Sequence, residues 1–519
     1  WARLWRRSDI RVGGDAEAQL TLRLNIFHLL QTVSLHTIGR DVGVPARGLH
    51  GEAYRGHIFW DELFIFPFLN FSAPAIARSL KLYRYRRLPQ ARRAARAAGL
   101  AGAMFPWQSG SDGREESQVI HLNPRSGRFL ADETYLQRHV NAAIAYNVWQ
   151  HFQATNDREF LSFYGAEMIL EIARFLASLT RFDDARGRYG IHGVVGPDEY
   201  HTRYPDADRP GLDNNAYTNV MAVWTLRTAR RVLEILSEGR RAELLDALGL
   251  TAADLDRWTD ISRRMYVPFL HAGIPSQFEG YDALREFDWE GYRRRYGDIQ
   301  RLDRILEAEG DTPNRYKAAK QADVLMLFYL ISADELADIL RALGYRFEPE
   351  MIPRTIDYYC QRTSHGSTLS RVVHSWVLAR SRRRASWRWF VEALKSDLED
   401  VQGGTTAEGV HLGAMAGTID LVQRCYAGVE MRDEVLWLNP RLPDELQSID
   451  LRVWFRGHWI ALRVDHARLE VQAEPGWFRE ARIGFRGVIH TLRDGERRTF
   501  ELQDRAASTA GPIGEAGGA

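Results

Sequence analysis

Apolar residues recur at spacings of three and four along most of the chain up to Glu434, and at spacings of two beyond it. After Asp15, the run Ala-Glu-Ala-Gln-Leu-Thr-Leu-Arg-Leu-Asn-Ile-Phe-His-Leu-Leu reads as a capped amphipathic helix over 15–35. The same pattern predicts helices at 73–98, 133–154, 158–180, 214–237, 318–331, 333–344, 366–380, 384–400 and 412–427. Between them lie Gly/Pro-rich segments at 36–60, 101–130, 184–213 and 400–411, longer than helix hairpins need. Long ordered loops on a helical scaffold are where binding residues gather, so the pattern predicts a toroid of helical hairpins with a loop-lined mouth. Beyond Glu434, Leu436, Leu438, Leu451, Val453, Phe455, Leu469, Val471, Ile483 and Phe485 fall into alternating runs, which predict a small strand-rich domain. The expected division is a linker helix region at 1–35, a catalytic helical domain at 36–433, a β domain at 434–505 and a flexible Gly/Ala-rich tail at 506–519.

Composition narrows the partners. The 69 basic and 68 acidic residues of the 519-residue chain are interspersed and leave a formal charge of +1, so no footprint for nucleic acid stands out. Cys360 and Cys425 are too few for a disulfide framework or a cysteine metal site and fit a reducing compartment. No run approaches the roughly 18 apolar residues of a membrane helix, and the start Trp1-Ala2-Arg3-Leu4-Trp5-Arg6-Arg7 is not a signal peptide. The expectation is a cytoplasmic protein acting on a small molecule, without a metal or organic cofactor. The first residue is not Met, so the chain reads as a fragment of something longer.

Four polar constellations lie on the loops, and sugars need residues of these types: aromatic faces for ring C–H bonds, charged and amide groups for hydroxyls. The first is Tyr54–Glu62, where Trp60 and Asp61 stand together before a helix; a core Trp with an Asp cap would look the same. The second is Phe105-Pro106-Trp107-Gln108-Ser109-Gly110, followed by Glu115 and Glu116. The third is Gly196-Pro197-Asp198-Glu199-Tyr200-His201, with Asp213-Asn214-Asn215 close behind. A carboxyl that protonates a glycosidic oxygen must keep its proton near neutral pH, which requires partial desolvation. Glu199, with the longer arm, is the candidate acid and Asp198 the brace; an acidic helix cap is the plain alternative. The fourth joins Lys320-Gln321, Ser364-His365-Gly366-Ser367 and Gly409-Val410-His411. Hydroxyls, an imidazole and free N–H groups before a helix are what an anion site contains, and a Ser-rich N-cap looks similar. No Walker loop, zinc helix or nucleophile elbow competes.

Taken in order, Gly51–Asp61, Phe105-Pro106-Trp107, Gly196–His201, Asp213–Asn219, Lys320–Val324, Ser364–Ser367 and His411–Thr418 resemble glycoside hydrolase family 65, which includes maltose, trehalose, kojibiose and nigerose phosphorylases. The resemblance covers about residues 1–440. It implies an (α/α)6 barrel with a small C-terminal β domain; the expectation is that the family's N-terminal β-sandwich lies outside this sequence, with a homodimer among the expected partners. By position it implies Glu199 as general acid, Trp60, Asp61, Trp107, Lys320 and Gln321 as sugar contacts, and Ser364, His365, Gly366, Ser367 and His411 as the phosphate pocket. The implied reaction is inverting phosphorolysis of an α-glucosyl disaccharide of trehalose, maltose, kojibiose or nigerose type to β-glucose 1-phosphate and a free sugar. The rivals are an inverting α-glucosidase of the same fold, with Glu408 as the nearest spare carboxylate, and a sugar-binding protein that has lost catalysis.

Overall fold

The computed structural model describes residues 1–49, 51–401, 405–476 and 480–502. A mainly helical part is followed by a β-sheet part. The helices fall into two kinds. Glu62–Ser72, Val140–Thr155, Ala216–Ile235, Leu325–Leu330, Thr368–Leu378 and Leu412–Asp420 are buried over most of their residues, and every residue of the first and the last is buried. Such helices lie inside the protein, wrapped by others. Amphipathic helices such as Ala16–Thr32, Pro74–Arg86, Ala166–Leu179 and Met351–Cys360 pack outside them. The inner helices touch in series: Leu412–Asp420 on Glu62–Ser72, that on Val140–Thr155, and that on Ala216–Ile235. Thr368–Leu378 links Leu325–Leu330 to Leu412–Asp420.

Several elements depart from the periodic reading. The helix expected over 73–98 is two, Pro74–Arg86 and Leu88–Ala97, because Pro89 has no N–H to continue the ladder. The helix expected from 133 begins at Val140. Only Leu325–Leu330 of the 318–331 segment is helical; before it, the Ala319 N–H donates to Arg362 O at 2.7 Å and the Gly366 N–H to Lys320 O at 2.9 Å, which holds 319–320 extended against 362–366. The helix start expected after Asp61 opens Glu62–Ser72, whose extent the periodicity does not show because an all-apolar helix has no period to detect.

Two antiparallel-rich sheets form the C-terminal part. One has the order Arg11–Gly13, Ser448–Phe455, His458–Asp465, Arg468–Ala473, Arg497–Glu501; the other, Val488–Arg493, Glu480–Phe485, Val435–Leu438, Val429–Arg432. The strands thus begin at Val429, and a strand from the N-terminal segment completes the first sheet, with Val12 opposite Ile449. The tail expected after residue 505 lies outside the described residues.

Candidate active site

The turn Gly196–His201 is built by what lies beneath it. A Cβ on Gly196 would collide with Asp323 Oδ2 and Asn215 Nδ2, so only glycine lets the chain pass. Asp198 is buried, and its carboxylate accepts from the Lys320 N–H at 2.6 Å, from His201 Nδ1 at 2.6 Å and from Gln277 Nε2 at 2.8 Å. His201 Nε2 donates to Tyr316 O at 2.9 Å, which fixes the ring. Anchored on one side by Asp198 and on the other by Tyr200, whose hydroxyl donates to Gln300 O at 3.0 Å, Glu199 takes φ +67°. That left-handed conformation is uncommon for a non-glycine residue and clusters at functional sites. The two neighbouring acids therefore divide the work as brace and cleft-facing group, and neither caps a helix.

Glu199 shares a cleft of about 1160 Å³ with Trp60, Asp61, Trp107, Lys320, Gln321, Gly366, Ser367 and His411. Lys320 Nζ donates to Glu199 Oε2 at 2.5 Å; Gln321 Nε2 lies 3.4 Å from Oε1 and donates to Pro197 O at 2.7 Å. Burial is the largest influence on the Lys320 ammonium and works against it, but the charge and hydrogen bond of Glu199 together with the charge of Asp303 hold the group above its ordinary value. Asp61 Oδ1 accepts from His411 Nε2 at 2.7 Å, and the other ring nitrogen of His411 bonds to Thr368 Oγ1. Trp60 and Trp107 lie 5.9 Å apart between ring centres, with Trp60 also against His139. Burial pushes His139 down to about 3, so it is a neutral packing partner. Glu115 holds the Trp107 loop by accepting the Trp107 and Gln108 N–H groups at 2.8 and 3.0 Å.

Two of the residues expected in the anion pocket do not line the cleft. The Ser364 hydroxyl lies 3.1 Å from Gln300 O and 2.9 Å from the Tyr200 hydroxyl, so it serves the wall. His365, at φ +60°, turns its ring onto Trp389, 4.2 Å between centres, with Nδ1 2.9 Å from Ser370 Oγ; burial and the neighbouring His374 keep it neutral. What does face the cleft is Gly366, Ser367 and Thr368, where Ser367 is the N-cap of Thr368–Leu378 and makes no side-chain capping bond. Asp61 and His411 are likewise N-cap residues, of Glu62–Ser72 and Leu412–Asp420. Three helix starts thus converge on the cleft and favour negative charge there.

Other lining residues carry no signal of their own in the sequence. Arg301, Asp303, Arg304 and Asn314 come from a segment without recognisable pattern, and Gln277 reaches Asp198 from the same region. Arg301 is clamped to Asp303 at 2.6 and 3.0 Å. Arg47 donates to Gly409 O at 2.8 Å and lies 3.7 Å from Glu408, whose carboxylate is largely exposed on the cleft wall. Among the described residues, no cluster of three or more His, Cys, Asp or Glu could hold a metal ion. Nor is any described helix long and apolar enough to cross a membrane.

Comparison with known proteins places this cleft in a family. The model of the glycosyl hydrolase family 65 central catalytic domain matches residues 23–420, and that of the family's C-terminal domain matches residues 429–492. An uncharacterized glycosyl hydrolase of Mycobacterium tuberculosis is 56% identical over 495 residues, covering 95% of this chain and 37% of that protein. A trehalose 6-phosphate phosphorylase of Lactococcus lactis is 38% identical over 477 residues, covering 91% of this chain and 60% of that one. A kojibiose phosphorylase of Caldanaerobacter subterraneus is 32% identical over 483 residues, covering 91% and 59%. The chain therefore spans between about a third and three fifths of the length of these curated relatives. A solved structure from the human microbiome, assigned as a kojibiose phosphorylase, superposes with a TM-score of 0.81 at 24% identity over 97% of this chain and 68% of that one, which shows the shared fold. With both of its domain models matched in order, the chain belongs to glycoside hydrolase family 65.

Proposed function

We propose that this protein is an inverting phosphorylase of an α-glucosyl disaccharide, with Glu199 as its single proton donor. The observation that carries the reading is the pairing, within one cleft, of Glu199 with an uncapped helix start, Ser367, Thr368 and His411. Trp60, Asp61, Trp107, Lys320 and Gln321 bind the glucosyl unit. Glu199 gives its proton to the glycosidic oxygen while a phosphate oxygen attacks the anomeric carbon from the opposite face; the C–O bond to the acceptor breaks as the bond to phosphate forms. The products are β-glucose 1-phosphate and a free sugar. Phosphate is already an anion and needs no general base, so one carboxyl suffices. The phosphate contacts reduce to Gly366, Ser367, Thr368 and His411, with Ser364 and His365 supporting that wall from behind. The serial contacts of the inner helices support closure of the helical part into an (α/α)6 barrel around this mouth.

Glu408 favours a second reading. It lines the same cleft, and an inverting hydrolase needs just such a second carboxylate, about 6.5–9.5 Å from the acid, to activate water. Its pairing with Arg47 and its exposure suit a wall residue better than a base. The acceptor is also open: one relative is named for trehalose 6-phosphate, and Arg304 lines the cleft without an ion pair among the described residues. The deciding experiment incubates the protein with trehalose, trehalose 6-phosphate, kojibiose, nigerose and maltose, with and without phosphate, and follows glucose 1-phosphate. Cleavage depends on phosphate, and Glu199→Gln lowers it about 10²–10⁴-fold while sugar still binds. Glucose release that is indifferent to phosphate makes the protein a hydrolase; full activity in the variant removes Glu199 from the mechanism.

A further inference from the structure

The contact that holds Glu199 in the cleft conflicts with the work assigned to it. Its Oε2 accepts from the Lys320 ammonium at 2.5 Å and its Oε1 faces Gln321 Nε2 at 3.4 Å. Two accepting oxygens and a cationic donor are the surroundings of a carboxylate, whereas a general acid must begin with a proton to give. Something has to remove Lys320 before the reaction starts. The main chain of Lys320 cannot move away: its N–H is bound by Asp198 at 2.6 Å and its carbonyl by the Gly366 N–H at 2.9 Å. Its side chain, lining the cleft and about one fifth exposed, can. Arg301 makes no hydrogen bond to Glu199: Asp303 engages its Nε and Nη2 at 3.0 and 2.6 Å, and the charge Arg301 exerts on Glu199 is shared with that carboxylate.

We propose that Lys320 is a sugar-operated latch on Glu199: a hydroxyl of the entering glucosyl unit takes the ammonium away, and Glu199, left without its cation, binds a proton from solvent before the glycosidic bond breaks. The step balances as one carboxylate and one solvent proton giving one carboxylic acid, with Lys320 remaining an ammonium throughout. It rests on the reading of the cleft as a sugar site. The consequence is that the acid is armed only when sugar is present. Lys320 acts here as a positioning residue through Glu199, in addition to touching the sugar.

The other charges around the pair do not replace the latch. Asp198 is consumed by donors from Lys320, His201 and Gln277, and Tyr200 by Gln300 O and Ser364. Asp323 lies beneath Gly196 and is bound by Asn215. From the 301–308 segment, Arg301 and Asp303 neutralise each other and Arg304 stands beside them on the cleft wall. Asp61, Arg47 and Glu408 line the wall paired with His411 or with one another, Glu133 pairs with Arg203, Asp132 with His121, Glu307 with Arg128 and Asp311 with Arg315, and Glu52 also lines the cleft. His411 and His121 are the imidazoles that line the cleft, and the test must separate them from Glu199.

Calorimetric titration does so without turnover: glucose, trehalose, kojibiose and maltose are added in the absence of phosphate, near neutral pH, in two buffers of different ionisation heat. The wild-type protein takes up about one proton per sugar bound. Glu199→Gln binds sugar with uptake reduced at least about tenfold, and Lys320→Met behaves likewise because its acid is never latched. In turnover, the basic limbs of kcat and kcat/KM lie apart in the wild type, since they report the loaded and the free enzyme, and coincide in Lys320→Met. Sugar binding without proton uptake in the wild type overturns the latch alone, as does uptake that persists in Glu199→Gln and so belongs to an imidazole. Failure of every sugar to bind overturns the reading of the cleft itself, and the latch with it.

Discussion

Asp323 lies under the Glu199 turn, its oxygens accepting from Asn215 Nδ2 at 3.1 Å each and from the Asp198 N–H at 3.4 Å. Burial, and then the neighbouring Asp198 carboxylate, hold it well above the usual carboxyl range. In the unfolded chain the same group titrates near about 3.9. Between that value and the raised folded one, the native state carries the extra proton. The contribution of Asp323 to stability is therefore complete below the unfolded value and is lost as pH rises toward the folded one. Asparagine has the shape of the protonated acid and no charge to lose. Melting curves taken from about pH 4 to pH 8 should show Asp323→Asn gaining on the wild type as pH rises; a difference that stays constant over this range contradicts a protonated Asp323. The sequence displays this residue inside Lys320–Val324 without hinting at its state, because burial and an acid 125 positions away in the chain decide it.

Elements were legible to the extent that their surroundings were one-sided. Ala16–Thr32 and Ala333–Ala342 face solvent on one flank and show their period, whereas Glu62–Ser72 is enclosed on all sides and does not. The motif residues Trp60, Asp61, Glu199, Lys320 and His411 do meet in one cleft, but Ser364 and His365 show that adjacency in a motif leaves side-chain direction open. Glu62 illustrates what an enclosed helix conceals: it is 2% exposed, and its Oε2 accepts from Arg84 Nε at 2.9 Å, on the helix Pro74–Arg86, itself 3% exposed. Arg84 also reaches Phe59 O at 3.3 Å, directly before Trp60 and Asp61, so this pair ties an outer helix to the floor of the cleft. Removing one member of a buried pair leaves the other charge without compensation. Arg84→Ala should cost about 3–5 kcal/mol in urea unfolding, while the double change Glu62→Leu with Arg84→Met recovers most of it. A loss below about 1 kcal/mol in the single variant would equate the pair with a surface ion pair.

At the scale of the whole molecule, the chain closes on itself through its first residues. Arg11–Gly13 is an edge strand of a sheet otherwise made from residues 448–501, and the Gln447 N–H donates to Gly13 O at 2.7 Å. The next element, Ala16–Thr32, packs on Leu412–Asp420, whose N-cap is His411. Strand Ser448–Phe455 in turn touches Glu62–Ser72 and Val140–Thr155, and the Arg456 N–H donates to Ala154 O at 2.7 Å. The β part is therefore fastened to Glu62–Ser72 and Val140–Thr155 directly and to Leu412–Asp420 through Ala16–Thr32, and the β and helical parts should unfold together. Gly14 is where this closure is most exposed to a single change. Its φ of +108° is a glycine conformation, and a Cβ there would collide with Glu445 O. Gly14→Val cannot keep both the turn and the strand, so it detaches Arg11–Gly13 and opens the sheet edge. Calorimetry should show one transition for the wild type and, for Gly14→Val, a separate earlier transition of the β part; faster hydrogen exchange over 448–455 would accompany it. A variant that melts in one transition at the wild-type temperature would mean that the helix contacts alone couple the two parts, and that the N-terminal strand merely rests on the sheet.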